Sequence, residues 1–543
     1  HSTGYQMLSG SSNVHIGHEA GKFASGSGNT FIGYTAGYGG NTSAPYASGQ
    51  YNTGIGYEAL EDFTTGHSNV AVGYGAGKDI TTSHYNVLVG YDAGKSITAG
   101  NGRSVLIGMR AGDAQTLANY NVAIGYDAMG ANQVGSDNIV IGGAAGYDLQ
   151  GPENVIIGSS AGANLTTTSG SVVIGHQALI SGTTDKWQVV IGQKAMYYHP
   201  AGAATEGTVA IGYKAMYQSK GSNTSGTVAI GNSAANAITH GSHGVFIGYA
   251  AGHNVQVGSY NTCVGRQSGY SVRSGSENAF FGYGAGFYTT GSYNTFVGSR
   301  AGWGGTTSAP FSSGKWNTAI GYNAMAGMTT AVSNVAVGTS ALEDITTATS
   351  NVAVGLNAGA NVTSGNYNTL VGREAGGAMT DVGSTVLIGY AAGDAINNTG
   401  ANGTVAIGQS ALSALTSGAG NLAIGYHAMQ VHTTGARNIA IGYGAMDDTD
   451  AGSTSLGSTD NIFIGYDAGG GTWADAASSE NIAIGNYSMD GALNGAAGNI
   501  ALGNLSLSAI TTGDDNIAIG YAALQAADGA EDNNIAIGSG AGQ

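Results

Sequence analysis

The sequence predicts an all-β protein, namely a parallel β-solenoid (β-roll) of about 30 coils of mostly 17 residues. Three observations predict this fold. A nine-residue phrase recurs along the whole 543-residue chain, its fifth place is always glycine, and β-branched residues alternate with other residues just before that glycine. A fixed period of this kind indicates one supersecondary unit stacked many times, because a single unit cannot bury its own apolar face.

The repeated phrase is N-[VIT]-A-I-G-Y-x-A-[GML], whose positions we number as places one to nine. The stretch "NVAIGYDAMG" at 121–130 is an example. Thirty copies occur, and the step between their glycines is most often 17 residues and always between 16 and 23. The residues between copies are mostly Gly, Ser, Thr and Asn, which leaves no room for helices of ordinary length. Each coil is therefore expected to contain one short strand and one tight corner.

Four places in the coil carry predictions about side-chain direction. Places two and four are predicted to point inward, since branched aliphatic residues fill them in almost every copy and suit one face of a strand. Glycine at place five indicates either a positive φ or the close approach of a neighbouring backbone. Place eight is Ala in 27 copies and Ser in the others, which marks a site with room for one small side chain. A further apolar residue seven positions after the glycine, such as Phe63 or Ile80, is expected to point inward as well.

Place three lies on the opposite strand face and is also apolar in most coils, with Phe31 and Phe296 as large examples. A thin solenoid has only one interior, so a second apolar face asks for a partner surface. Rotational self-association would bury this face, and three chains are the expected count. The alternative is that small alanines tolerate exposure while the few phenylalanines pack locally.

Asparagine fills place one in 22 copies. Stacked side-chain amides can form hydrogen bonds along such a column, as they do in cross-β structures. The alternative is that asparagine is tolerated there because it suits a turn. The sequence does not decide between these two interpretations.

The composition favours an elongated extracellular protein. Glycine supplies 97 residues, only 9% of residues are charged, and 15 basic against 32 acidic residues give a formal net charge of −17. Such a surface disfavours nucleic acid and anionic membranes as partners. The single cysteine, Cys263, cannot build a disulfide framework. No uncharged apolar run reaches the roughly 18–20 residues of a membrane span, so we expect no membrane insertion in this segment.

The phrase "NVAIGxxA" resembles the head repeats of trimeric autotransporter adhesins, which form left-handed parallel β-rolls as homotrimers. The longer form "NTFIGYxAG", with "TTGSYN" at 289–294 between copies, resembles the repeat arrays of phage tail fibres and related cell-surface proteins. The resemblance covers essentially the whole chain and implies a homo-oligomeric fibre at a virion or cell surface. The step of mostly 17 residues departs from the shorter coil of the adhesin heads.

The chain is predicted to consist of an N-terminal segment or junction at 1–12 and one continuous array at 13–543. The stretches "YGGNTSAPYASGQY" (38–51) and "WGGTTSAPFSSGKW" (303–316) are near-copies 265 residues apart, which suggests that a block of 265 residues was duplicated. The final coil is as regular as the others. We therefore expect its open face to be covered by further polypeptide, by a cap, or by the next copy in a head-to-tail filament.

The two near-copies each lengthen one coil to 23 residues and carry three aromatic residues. Long loops on a rigid scaffold often carry recognition, and aromatic faces suit sugar rings. The alternative is that the rings fasten the loop to the solenoid or to a neighbouring subunit. The candidate surface-binding residues are Tyr38, Tyr46, Tyr51, Trp303, Phe311 and Trp316.

No catalytic constellation is recognisable in the sequence, so neither an enzyme nor a cofactor is expected. The histidines lack metal-ligand spacing, and no nucleophile elbow, phosphate-binding loop or dinucleotide fingerprint occurs in a strand–helix context. The acidic stretch at 447–460 offers Asp447, Asp448 and Asp450 as a candidate Ca²⁺ site. A solvated acidic loop is the favoured interpretation, because the Ca²⁺-binding nonapeptide pattern is absent.

The sequence as a whole favours a structural fibre or filament component, either a virion tail fibre or a bacterial surface appendage, that supports attachment. It is expected to bind itself, as a homotrimer or a head-to-tail filament, and a host-surface glycan is a candidate partner. A glycan-binding adhesin is the alternative function. An ice-binding solenoid is less favoured, because the threonine pairs lie in turns and not in an outward row on a strand.

Overall fold

A computed structural model describes residues 10–40, 46–100, 102–117, 119–182, 184–200, 205–221, 223–305, 311–449, 457–527 and 529–543. The chain divides into two compact units, His1–Ser274 and Gly275–Gln543, which we describe separately. Each unit is a parallel β-solenoid with one three-residue strand per coil, so the predicted fold class is confirmed. In the described part of the chain, no helix is long and apolar enough to cross a membrane.

The main sheet of the first unit contains one strand from each successive coil. These strands are β1 Val14–Ile16, β2 Thr30–Ile32, β3 Thr53–Ile55, β4 Val70–Val72, β5 Val87–Val89, β6 Val105–Ile107, β7 Val122–Ile124, β8 Ile139–Ile141, β9 Val155–Ile157, β11 Val172–Ile174, β13 Val189–Ile191, β14 Val209–Ile211, β15 Val228–Ile230, β16 Val245–Ile247 and β17 Thr262–Val264. Two short strands, β10 Asn164–Leu165 and β12 Ser181–Gly182, pair with each other at a different corner of the coil.

The second unit repeats this arrangement. Its strands are β18 Ala279–Phe281, β19 Thr295–Val297, β20 Thr318–Ile320, β21 Val335–Val337, β22 Val352–Val354, β23 Thr369–Val371, β24 Val386–Ile388, β25 Val405–Ile407, β26 Leu422–Ile424, β27 Ile439–Ile441, β28 Ile462–Ile464, β29 Ile482–Ile484, β30 Ile500–Leu502, β31 Ile517–Ile519 and β32 Ile535–Ile537. One 3₁₀ turn spans Thr399–Ala401.

Neighbouring coils pair in parallel with equivalent places opposite each other. Val335, Ala336 and Val337 of β21 lie opposite Val352, Ala353 and Val354 of β22. The ladder continues beyond the strand, since the amide of Gly338 at place five donates to the carbonyl of Ile320 one coil before, at 2.7 Å. Each coil is thus bonded along its backbone to the coils on either side, as a stack of single supersecondary units requires.

The prediction that places two and four point inward is wrong. Place three is buried in every coil after the first, as Phe31 and Ala353 show, whereas places two and four are half-buried or exposed. The other inward predictions are confirmed, because Ala59 at place eight and Ile80, seven residues after its glycine, are both fully buried. The branched residues at places two and four therefore suit the extended backbone of a strand without being buried by it. The apolar face that is left exposed, and that a partner could cover, is therefore the face of places two and four and not that of place three.

The interior is filled by compensation between places three and nine. Every phenylalanine at place three is followed by glycine at place nine, and a Cβ added to Gly37 or Gly302 would overlap the ring of Phe31 or Phe296. Where place three is alanine, place nine is often large, as in Ala123 with Met129. Close packing requires such compensation, because the interior of one coil has a nearly constant volume.

The corner that follows each strand relies on residues with positive φ. Gly125 has a φ of 136°, and a Cβ on it would lie 2.6 Å from the carbonyl oxygen of Gly142, so both reasons foreseen for glycine apply. Asp127 and Met129 in this corner also have positive φ, of 51° and 54°, and Tyr120 just before the strand has a φ of 57°. The strain is about 1–2 kcal/mol for each such residue. Hydrogen bonds between coils offset it, since all three amides donate to carbonyls of neighbouring coils at 3.0 Å.

Asparagines at place one form a buried amide ladder, which decides between the two interpretations of the sequence. The Asn334 side chain donates from Nδ2 to Asn317 Oδ1 at 3.1 Å and to the Ala348 carbonyl at 2.9 Å. Its Oδ1 accepts hydrogen bonds from the backbone amide and the Nδ2 of Asn351, at 2.9 and 3.0 Å. Asn317, Asn334 and Asn351 are fully buried, and the neighbouring asparagine supplies part of the hydrogen bonding that each buried amide requires.

Candidate interaction surface

Places two and four form two outward rows of mostly branched aliphatic side chains along the main sheet of each unit, with threonine at place two in six copies. Val70 in the first unit is 37% exposed, and Val352 and Val354 in the second are 38% and 37% exposed. None of the thirty copies carries a charged residue at either place. Because equivalent places lie opposite each other, the rows are continuous along the sheet. We call this surface the aliphatic strip.

The aliphatic strip is large enough for a stable interface. Fifteen strands about 4.8 Å apart make the sheet of one unit about 67 Å long, and a strip about 10 Å wide then covers roughly 670 Å². Exposed apolar patches above a few hundred Å² usually mark interaction sites. A standard protein interface buries about 800 Å² on each partner, which is close to the area that one unit offers.

Tyrosines at place six, two positions after the second row of the aliphatic strip, form stacked columns. Rings of Tyr34, Tyr57, Tyr74 and Tyr91 follow one another with centroids 5.0 Å apart and planes within 7° of parallel. Tyr426, Tyr443 and Tyr466 form a similar column at 4.9 and 5.2 Å. Since each ring covers the face of the next, these columns expose ring edges and hydroxyl groups and leave few ring faces for a ligand.

The residue just before place one, here called place zero, behaves differently. Its φ is positive in all thirty coils. Aromatic rings at this place often have a small residue in the adjacent coil, so a ring face stays open. Tyr51 lies between Gly28 and Ser68 and is 66% exposed, while Trp316 stacks on Tyr293 on one side at 6.0 Å. In the sequence, Trp316 has Ser333 at the same place of the following coil.

The six candidate surface-binding aromatics fall into two groups. In the first loop, Tyr38 meets Phe23 edge-on at 5.0 Å and Tyr46 stacks on the same ring at 5.9 Å. In the second loop, the rings of Trp303 and Phe311 contact Tyr288 in the same two ways, at 5.9 and 5.6 Å. These four rings thus pack against other rings of the same unit, which is the kind of contact that the structural alternative predicts.

Tyr51 and Trp316 are the two candidates that remain open to solvent. A depression of about 310 Å³ lies beside Tyr51 and is lined also by Gln50, Thr65 and His67. The equivalent residues around Trp316 include Lys315 and Thr330. An open ring face with neighbouring hydrogen-bonding groups is the arrangement that a sugar ring requires.

The acidic stretch places its carboxylates in different surroundings. Asp448 accepts a hydrogen bond from the Thr472 hydroxyl at 2.5 Å, and Asp450 lies outside the described residues. Burial and the nearby carboxylates of Asp467 and Asp448 raise the pKa of Asp447 to about 6. Within the described ranges, no group of three or more His, Cys, Asp or Glu side chains is placed to hold a metal ion. The Ca²⁺ site therefore stays a prediction.

Sequence reasoning missed the outward character of places two and four, although a signal was present. The pairing of phenylalanine at place three with glycine at place nine, as in Phe463 and Gly469, indicates that these two places share one interior. Such compensation is not a pattern at places two and four, where residues of similar size recur in almost every coil.

Comparison of the chain with models of known protein families finds no match, and no curated protein matches it either.

Proposed function

We propose that the chain is a structural component of an extracellular fibre or filament, at a virion or cell surface, and that its copies associate side by side through the aliphatic strip. The observation that carries this proposal is the uncharged double row at places two and four, which is half-buried or exposed in both units. Leaving that much branched aliphatic surface in water is unfavourable, and a second copy of the same strip offers a matching repeat of about 4.8 Å.

The interior of the coils supports a structural role as well. The amide ladder, the backbone bonds between coils and the closely packed interior give a rigid stack in each unit. Threonine hydroxyls add a further ladder, since Thr329, Thr346 and Thr363 each donate to the carbonyl of the equivalent residue in the next coil at 2.8, 2.9 and 3.2 Å. These hydroxyl protons are donated to carbonyls within the solenoid, so they are not free to bind ice. Ice binding is therefore the less favoured function.

Lysine substitutions in the strip test the proposal. Val70→Lys and Val352→Lys place charges in the strip of each unit, while Thr82→Lys and Thr347→Lys add the same charges at exposed turn positions. Native mass and sedimentation velocity should show an oligomer for the unmodified chain and for the threonine variants, and a monomer for the double valine variant. A homotrimer is the expected assembly. A chain that stays monomeric at all accessible concentrations would contradict the proposal.

A glycan-binding adhesin is the second candidate, and the open rings of Tyr51 and Trp316 favour it. The substitutions Tyr51→Ala and Trp316→Ala should then abolish binding to host cells without changing the oligomeric mass. A head-to-tail filament is a further possible assembly of the same copies. Electron microscopy of the double valine variant separates the two modes, because end-to-end association would survive the loss of the strip.

A further inference from the structure

We propose that the corner formed by Tyr197, Tyr198 and Lys220 in the first unit binds an acidic saccharide, meaning a sugar ring that carries a carboxylate or sulfate group. This inference does not depend on the fibre assignment or on the open rings at place zero. It concerns a concave site on another side of the coil, at the places that follow the nine-residue phrase.

The site is a cleft of about 470 Å³ with aromatic walls and polar edges. The Tyr198 ring meets Tyr197 and Tyr217 edge-on, with centroids 4.7 and 5.1 Å away, and Tyr197 lies nearly parallel to Tyr217 at 5.6 Å. Pro200 and Ile180 extend the apolar lining, and Asn164, Ser181 and Lys220 supply hydrogen-bonding groups. An apolar pocket with a few converging polar groups is the usual form of a small-ligand site.

One lysine lines this cleft and two more lie over its tyrosine rings or an adjoining one, in a chain with 15 basic residues against 32 acidic ones. Lys194 Nζ lies 5.5 Å from the centroid of Tyr197, and Lys214 Nζ lies 5.0 Å from that of Tyr217. Among the described residues, neither these two lysines nor Lys220 forms an ion pair. Three cations without a carboxylate partner are therefore available for an anionic group, and a lysine held over an aromatic ring is already oriented.

Lysine–tyrosine pairs occupy equivalent places in two successive coils beside the cleft. Lys194 and Lys214 stand two residues after their place-five glycines and pair with tyrosines three positions later. In six of the other coils the first of these places carries a carboxylate, as Glu19 shows. Arg300 and Trp303 form a similar cation–aromatic pair in the second unit, at 5.2 Å. The two successive pairs bring cationic and aromatic groups together at the cleft.

The floor of the cleft is polar at a place where many other coils are apolar. His199 occupies the place that Ile80 and Leu165 fill in other coils, and it is almost completely buried. Its Nε2 lies 3.2 Å from Asp185 Oδ1, which also accepts a hydrogen bond from the Thr205 hydroxyl at 2.9 Å. The Nδ1 of His199 has no hydrogen-bond partner among the described residues. A polar floor beneath stacked rings suits a ligand with both apolar faces and hydroxyl groups.

The combination favours a saccharide over a nucleic acid. A pyranose ring has C–H faces that pack on tyrosine and hydroxyls that reach Asn164, Ser181 and Lys220, and its acidic group pairs with a lysine. A nucleic acid carries a charge at every nucleotide and would have to continue over a surface with a net charge of −17. The cleft therefore fits a short anionic ligand better than a long polyanion.

Isothermal titration of the full chain tests this inference. The probes are a galacturonic acid tetramer and a sulfated galactose tetramer as acidic sugars, with a neutral galactose tetramer, inorganic phosphate and a short oligothymidylate as comparisons. We expect one of the two acidic sugars to bind about tenfold or more tightly than the neutral sugar, and its affinity to fall with added salt. Binding of neither acidic sugar, equal binding of the neutral sugar, or tighter binding of phosphate or oligothymidylate would overturn the inference.

Variants locate the site on the chain. Tyr198→Ala and Lys220→Gln should each weaken the binding of the acidic sugar about tenfold or more. Tyr322→Ala and Lys95→Gln change the same residue types on other coils and should leave the affinity unchanged. All four variants should keep the oligomeric mass of the unmodified chain, so a failure here is separable from a failure of the aliphatic strip. Undiminished binding by both cleft variants would place the saccharide elsewhere and overturn the proposal.

Discussion

The ring of Phe296 occupies the space that a side chain at position 302 would need, since a Cβ added to Gly302 would overlap the ring carbons. The two residues stand at places three and nine of one coil. One coil later, Ala319 and Met325 hold the same two places with the sizes reversed, and both are fully buried. The interior of each coil is therefore shared between these two side chains.

This relationship predicts the outcome of a swap. Gly302→Met alone should destabilise the chain by about 1–3 kcal/mol through overpacking, and Phe296→Ala alone by about 3–5 kcal/mol through the cavity that it leaves. The double variant reproduces the combination found at Ala319 and Met325, so its loss should be clearly smaller than the sum. Denaturant unfolding of the four chains gives the coupling energy. Additive losses would show that the two side chains do not share a space.

The buried amide ladder predicts a high cost for removing one member. Asn334→Ala takes away the acceptor for both donors of Asn351 and the donor to Asn317. Each buried group left without a partner costs about 1–3 kcal/mol, so we expect a total loss of several kcal/mol and faster hydrogen exchange at the Asn351 amide. Asn334→Thr is the matched control. Thr385 donates to Asn368 at 2.8 Å at the equivalent place, so threonine should cost less than alanine.

The two faces of a strand predict opposite responses from adjacent residues. Ala353→Lys places a charge in the closed interior, and its cost should exceed about 4 kcal/mol because the charge is unpaired. Val352→Lys places the same side chain on the outward face, where Val352 is 38% exposed, and the solenoid should stay folded. Circular dichroism with thermal unfolding distinguishes the two. A folded Ala353→Lys beside an unfolded Val352→Lys would reverse our assignment of the faces.

Asp447 predicts a pH dependence with a definite sign. Burial and neighbouring carboxylates raise its folded pKa to about 6 from the usual value of 3.8, so the folded state holds the proton more tightly than the unfolded state. Stability from this group is therefore present below about pH 4 and is lost as the pH rises to about 6. Asp447→Asn should stabilise the chain at pH 7 by about 1 kcal/mol after allowance for solvent exposure, and the gain should vanish at pH 4.

Two comparisons keep the pH result interpretable. Asp344→Asn removes a carboxylate from an exposed turn and should show a much smaller gain at pH 7. Added Ca²⁺ tests the predicted metal site at the same time. If Ca²⁺ binds through Asp447, it should raise the melting temperature of the unmodified chain and not that of Asp447→Asn, and the variant would then be the less stable of the two.

Much of the fold could be predicted from the sequence, because the same residue types recur at the same places in thirty copies of the repeat. The step of mostly 17 residues fixed one coil per phrase, the invariant glycine fixed the corner, and alanine at place eight fixed a contact with no spare room. The amide ladder could only be proposed as one of two alternatives. Its hydrogen bonds join residues 16 or more positions apart, and Asn334 and Asn351 are separated by 17, so a place-by-place interpretation of one coil does not show that such residues meet.

The candidate surfaces were less accessible to sequence reasoning. Tyr51 and Trp316 were named as surface candidates together with four aromatics that the structure packs on Phe23 and Tyr288. All six are aromatic residues of the same type of long loop. Only the fold of that loop distinguishes the two exposed rings from the four packed ones. The cleft at Tyr197 and Lys220 was missed, because its residues come from several coils and form no motif within any single one.

The sequence by itself determined the period, the strand, the corner and the small contact, because each depends on the chemistry of one residue type at one place. Only the tertiary structure decided which strand face is inside. Because side chains alternate along a strand, places two and four lie on one face and place three on the other, and the residues on both faces are mostly apolar in this chain. The choice depends on the closed cross-section of the coil, which admits one strand residue together with places eight and nine and the apolar residue beyond them. Phe296 and Ala319 both fit that space because Gly302 and Met325 adjust its volume, whereas the branched pairs on the other face, such as Val352 and Val354, have no such partner within the coil.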